Sequence, residues 1–269
     1  MGYLLGLHLE CGKLSSIDSY NRNLLFSAVR AVNLGISGSQ NFSPRYLTEY
    51  GKKELNLYNP KFQLPNPKSP IYFDTQAENE LYSVCIAIYS RYYEAVSRAT
   101  YVPSYLSFKE KTFNKIWRVK IDELKIIFES TIQELEELKA DFFEFKEKVN
   151  QFQTRVKISY YDSIIDLYEL LKHKNKHLKP EEITATLEYC HRLYQVIATA
   201  ENHNPYFQFF AHIIGLNYLN IYSKCSESEK ITTKQRLKEL IQFIKEKFYS
   251  YFSLNYLLLK TGYDSLDDQ

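Results

Sequence analysis

The strongest constraint in this sequence is a pair of missing residue types. Between Gly51 and Gly215 there is no glycine, and between Pro103 and Pro180 there is no proline. Chains rich in strands need many tight connections, which recruit glycine for its positive φ and proline for its fixed φ. So long a stretch without either argues for helices. The expected fold class is all-α, an irregular helical bundle with long antiparallel helices and a partly irregular N-terminal segment.

The positions where glycine and proline do occur divide the chain. Residues 1–70 form an N-terminal segment in which "SSIDSYNRNLLFSAVRAVNLG" reads as a helix of about 12–15 residues ending near Gly35. A Pro-rich irregular arm containing "NPKFQLPNPKSP" follows it. Residues 71–262 are expected to be the helical bundle, and 263–269 an acidic flexible tail. The bundle begins near Asp74, with Leu81, Cys85, Ile88 and Tyr92 at helical spacing.

The clearest periodicity runs from Trp117 through Ile121, Leu124, Phe128, Leu135, Leu138, Phe142, Phe145 and Val149 to Phe152. Alternating four- and three-residue steps predict one long helix of roughly 50 Å, packed with coiled-coil geometry on a partner helix. "LKPEE" predicts a helix with Pro180 in its first turn and Glu181 and Glu182 near its positive end. Another helix, about Pro205 to Tyr222, starts at an Asn204 cap, and a last one spans about Thr232 to Leu259 and stops at Gly262.

Composition bounds the surroundings. The chain holds 24 Tyr and 17 Phe against one Trp, and tyrosine suits half-buried positions at helix contacts. Its net charge of +2 is too small for a whole-protein electrostatic argument. Cys11, Cys85, Cys190 and Cys225 are far apart and form no CxxC, which suits a reducing compartment. "MGYLLGLHLECG" lacks the basic region of a secretory signal. The expected location is the cytoplasm.

Several stretches raise chemistry. Glu188 and His191 form Glu-x-x-His, the spacing of di-iron bundles, but no second copy occurs, and Asp162, Asp166 and Glu169 do not complete the set. Asn202 to Ser223 carries no Asp, Glu, Lys or Arg; Gln208, His212, Asn217 and Asn220 would be costly in hydrocarbon, so the expectation is a central helix enclosed by others and no membrane. His212, polar within that run, is the buried polar candidate, and the inferred cap separates it from His203. No Walker lysine motif, dinucleotide loop, HExxH or GxSxG occurs, nor the Arg-x4–6-His pattern of HEPN-type ribonucleases. No catalytic residue, metal or cofactor is expected.

Two basic segments remain. One holds Lys109, Lys111, Lys115 and Arg118 close to Tyr105, Phe108, Phe113 and Trp117; the other, "LKHKNKHLK", holds Lys172, Lys174, Lys176 and Lys179. Cations that neutralise phosphate beside aromatic rings that stack bases make a surface for RNA or single-stranded DNA. Solvation of a helix face and a helix end accounts for the same residues. The functional expectation is a non-enzymatic protein-interaction or assembly component with a protein partner, using the arm near 36–70 and the helix at 117–152. The alternative is a helical protein associated with RNA or single-stranded DNA.

Overall fold

The computed structural model describes residues 75–100, 109–175, 178–200, 206–248 and 253–268. In chain order these form α1 (Gln76–Thr100), α2 (Glu110–Asp141), α3 (Lys146–Lys174), α4 (Pro180–Thr199), α5 (Tyr206–Tyr222), α6 (Glu227–Phe248) and α7 (Leu254–Asp264). Short 3-10 turns occupy Phe143–Phe145 and Ser265–Asp268. No strand occurs among the described residues, so the fold is all-α, as the glycine gap predicts. The segment 1–70 and the Asn204–Pro205 cap lie outside the described residues.

The chain divides into two compact units, Met1–Lys109 with Asp122–Val156 and Glu110–Ile121 with Lys157–Gln269. The division falls inside α2 and α3, so each of these helices contributes residues to both units.

In the first unit, Thr75 caps α1 by accepting a hydrogen bond from the Glu78 N–H at 3.1 Å. Leu81, Cys85, Ile88, Tyr92, Val96 and Ala99 form one buried stripe along α1. Against it lie Val149, Phe152 and Val156 of α3, with the Tyr82 and Tyr89 rings edge-on to Phe152 and the Tyr92 hydroxyl donating to the Val156 carbonyl at 3.2 Å. Buried Glu78 is compensated by an ion pair with Lys148, and Arg91 reaches Glu134 of α2 at 2.5 and 2.7 Å.

The single helix expected over 117–152 is a helical hairpin instead. α2 ends at Asp141, Phe142 leaves the helix at φ −116°, ψ 51°, and α3 starts at Lys146. No glycine or proline marks this reversal. The turn is closed by the Phe142 N–H donating to Leu138 O at 3.0 Å and the Phe145 N–H to Phe142 O at 2.9 Å. Buried Gln153 then ties the two helices, donating to Glu136 at 2.8 Å and accepting from Lys139 at 3.1 Å. Trp117, Leu124, Leu135, Leu138, Val149 and Phe152 of the periodic set are buried, whereas Ile121, Phe128, Phe142 and Phe145 are only half-buried, and the set is divided between the two arms of a hairpin.

In the second unit, the first turns of α2 run antiparallel to the end of α3. Trp117 Nε1 donates to Leu167 O at 2.7 Å, and its ring meets Tyr168 edge-on at 5.0 Å. Tyr189 of α4 lies among Tyr160, Tyr161 and Tyr168 of α3, with centroids 6.0–6.4 Å apart. α4 starts at Pro180 as predicted, and Glu182 reaches back to accept the Lys179 N–H at 2.9 Å. α4, α5 and α6 pack on one another, and α7 packs on α5 and α6. The core they enclose includes Leu187, Cys190, Leu193, Ile197, Ile214, Tyr218, Leu237 and Ile244.

The last predicted helix is two helices. α6 starts five residues early, at Glu227, because Ser226 and Glu229 cap its first turn: the Ser226 N–H and hydroxyl both donate to Glu229 Oε2, at 2.9 and 2.7 Å. α6 ends at Phe248, and a new start is made at Ser253, whose Oγ accepts the Tyr256 N–H at 3.2 Å. Gly262 does not stop α7, which continues to Asp264, and Leu266 beyond it is buried in the core.

Gly262 serves packing instead. α5 and α7 run parallel, with Gln208 Nε2 donating to Ser253 Oγ at 3.2 Å where they begin. Farther along, Leu259 of α7 fills the space beside Gly215 of α5, and Leu219 of α5 fills the space beside Gly262 of α7. A Cβ at Gly215 would lie 2.6 and 2.7 Å from the two methyls of Leu259, which is fully buried. Gly215→Ala should therefore cost about 1–3 kcal/mol by overpacking, which outweighs the roughly 1 kcal/mol of helix propensity it gains. In a Leu259→Ala background the same change should turn stabilising. Denaturant melts of the four proteins of this cycle would check it, and additive effects would rule out the interlock.

Candidate functional site

Glu188 and His191 share one half-buried side of α4, where Arg192 donates to Glu188 at 2.9 Å, and this hydrogen bond lowers the carboxyl pKa. His191 Nε2 lies 3.1 Å from Gln195 Nε2, and burial lowers its pKa. Among the described residues no group of three His, Cys, Asp or Glu is placed to hold a metal ion. Cys85, Cys190 and Cys225 are free and buried. Burial pushes all three thiols up, Cys85 to about 12, so the thiolate needed for nucleophilic attack is suppressed. Cys11 and His203 lie outside the described residues.

His212 is half-buried rather than enclosed. It falls on the same stripe of α5 as Gln208, Gly215 and Leu219, so it faces α7. Its Nδ1 is buried with no hydrogen-bond partner, and burial lowers its pKa. α5 as a whole is not enclosed either. α4 and α6 cover one side and α7 another, while Phe209 (41% exposed) and Leu216 (37%) stay in contact with solvent.

That open side is a feature that the sequence reading missed. Leu254, Leu257 and Leu258 of α7 are 70%, 46% and 48% exposed. α7 turns Leu259 towards α5 and places Tyr263 under Lys234 of α6 at 5.8 Å. With the parallel α5–α7 pairing, helical periodicity then puts Leu254 and Leu258 on the same side as Phe209 and Leu216, away from α6. The signal was available in "LNYLLLK", where apolar residues surround a helix that can bury only one side.

The two basic segments meet at one end of the second unit. Asn175 Nδ2 donates to Asn114 Oδ1 at 3.2 Å, and the Lys174 ammonium lies 6.0 Å from the centre of the Phe113 ring. Lys111, Lys115 and Arg118 are exposed on one side of α2, and none of the three forms an ion pair among the described residues. Lys109, also exposed, precedes α2 and belongs to the first unit. Lys172 is held by Glu169 at 2.8 Å, and Lys179 lies 3.9 Å from Glu181. The Lys176 side chain, Tyr105 and Phe108 are outside the described residues. Phe113 and Trp117, expected as stacking platforms, are core residues instead, at 2% and 9% exposure, because the period that places them on one face turns that face towards α3.

Asp162, Asp166 and Glu169 follow one another along one side of α3. Glu169 is neutralised by Lys172, but Asp162 Oδ1 is buried with no hydrogen-bond partner. Burial raises the Asp162 carboxyl from 3.8 to about 7. It also raises Asp166 well above its ordinary range, and the Asp162 and Glu169 charges add to the effect. An acid that holds its proton more tightly when folded contributes stability that declines as pH rises. Here the decline spans pH 4 to 7 and then levels off. Asp162→Asn should stabilise the protein by roughly 1–3 kcal/mol more at pH 8 than at pH 4. Chemical denaturation at the two pH values checks this, and an equal effect at both would exclude it.

Comparison with protein-family models, with curated proteins and with solved structures gives no match to this chain.

Proposed function

We propose that this chain is a protein-interaction or assembly component that recognises its partner through the open face of α5 and α7. The observation that carries this reading is the set Phe209, Leu216, Leu254 and Leu258 on one side of two packed helices, with Leu257 beside them. Single exposed apolar residues are ordinary, but a grouped face is what binding surfaces use. The face lacks charge on α5, whose sequence from Tyr206 to Tyr222 holds no Asp, Glu, Lys or Arg. Desolvating it therefore strips few hydrogen bonds from water. His212, between the two helices with an unpartnered Nδ1, adds a polar mark to an otherwise apolar floor.

A second reading, contact with RNA or single-stranded DNA, has one observation in its favour. The Asn114–Asn175 hydrogen bond brings the two basic segments to the same end of the second unit. Their aromatic neighbours Phe113 and Trp117 do not support the base-stacking part of that reading.

Affinity purification from native cells, with and without nuclease, separates the two. We expect the wild-type chain to retain a protein partner after nuclease treatment. A chain carrying Leu254→Ser, Leu257→Ser and Leu258→Ser should lose it by tenfold or more, since apolar anchors are worth about 1–2 kcal/mol each. The substituted side chains are exposed, so the melting temperature should stay within about 2 °C. Equal recovery by both chains would remove the α5–α7 face from the account.

A further inference from the structure

We infer that the cation stripe at the start of α2 binds the phosphate backbone of a nucleic acid without reading its bases, an inference that rests on the second reading above. Lys111, Lys115 and Arg118 stand at i, i+4 and i+7, sharing one side of α2 over a rise of about 10 Å. All three are exposed. Their placement works against the helix that carries them. Lys111 and Lys115 repel one turn apart, and cations in the first turns oppose the positive end of the helix dipole.

Several other surface cations of this chain pair with a carboxylate three or four residues away, as in Lys125–Glu129, Arg192–Glu188, Lys230–Glu227 and Lys260–Asp264. No acid stands three or four residues from Lys111 or Lys115, and Arg118 forms no ion pair with Asp122. Among the described residues Glu110 and Asp122 flank the stripe without pairing to it, and a linear array of unpaired cations fits a linear array of anions. Duplex nucleic acid offers about one charge per 1.7 Å of its axis, so all three cations can be engaged by one rigid ligand. Arg118 can take a phosphate through two parallel hydrogen bonds, and the lysines act as point charges. A flexible acidic peptide would have to order its backbone for each contact, which favours the phosphate polymer.

Of the rings that would read bases, the two among the described residues, Phe113 and Trp117, are turned inward. Trp117 is fixed by its hydrogen bond to Leu167 O and by Tyr168, and Phe113 is buried beside Lys174. With no exposed ring between the cations, the contact is electrostatic, indifferent to sequence, and open to duplex as well as single strand.

Fluorescence anisotropy of the full chain tests this with an RNA duplex and a single-stranded oligouridine of about 20 nucleotides, between about 50 and 200 mM salt. We expect the two ligands to bind within about threefold of each other, with a log–log salt slope of about −2 to −3. The K111Q/K115Q/R118Q chain should bind at least tenfold more weakly at low salt and show a slope near zero, while the charge-matched K224Q/K238Q/K247Q chain keeps its affinity. No binding by the wild-type chain at about 50 mM salt would overturn both the nucleic-acid reading and this inference. Binding that survives the first triple substitution, falls equally in the second, strongly prefers the single strand, or is displaced as well by polyglutamate would overturn this inference alone.

Discussion

Leu259 can lie against α5 only because Gly215 has no side chain, and Leu219 can lie against α7 only because Gly262 has none. This reciprocal fit fixes how α7 is rotated on the bundle, and the proposed interaction face follows from it. α7 is 11 residues long and carries Leu254, Leu257, Leu258 and Leu259, which no single neighbour can cover together. Once Leu259 is seated in the core, the 100° step between residues sends Leu257 and Leu258 to other sides of the helix. The exposed leucines are thus a geometric consequence of the packing.

The rest of the body is held with large rings where glycine is absent. Helices without small residues at their contacts stay well separated, and tyrosine fills that space while keeping its hydroxyl near a polar group. Tyr92 does this against Val156 in the first unit, and between α3 and α4 the Tyr189 ring fills space among Tyr160, Tyr161 and Tyr168. Tyr218 shows the limit of the device, because its buried hydroxyl has no hydrogen-bond partner. Burial also raises the Asp162 and Asp166 carboxyls above their ordinary range.

Helix existence was legible in the sequence, and two helix starts were legible where a local group makes the cap. Pro180 with Glu182 starts α4, and the start of α1 near Asp74 is set by Thr75 and Glu78. Ser226 and Glu229 carried the same kind of signal for α6, and it went unread because the apolar period begins later, near Leu237. The α2–α3 reversal had no such signal. Phe142 turns the chain in a conformation open to any residue, and the hairpin is specified by Gln153 meeting Glu136 and Lys139, a contact between residues distant in sequence. For the same reason the border between the two units has no trace in composition, since it cuts through continuous helices. The basic segments were found as residues, but their roles divided only in three dimensions. Lys172 serves Glu169, Lys174 covers Phe113, and Lys111, Lys115 and Arg118 are left facing solvent.

The two surfaces of the second unit obey different physics, and this decides how a partner would engage each. The α5–α7 face has little charge to act at a distance, so its attraction for a partner would begin only when water is displaced, and its selectivity would depend on shape. The α2 stripe acts over about 8–10 Å in moderate salt, so it would steer an approaching polyanion before contact but discriminate poorly among polyanions. Raising salt weakens the stripe and leaves the apolar face intact or strengthened. A single ligand that used both would need apolar side chains and a dense row of anions together. Proteins supply the first and nucleic acids the second. Were both surfaces used, two separate ligands would therefore fit them better than one.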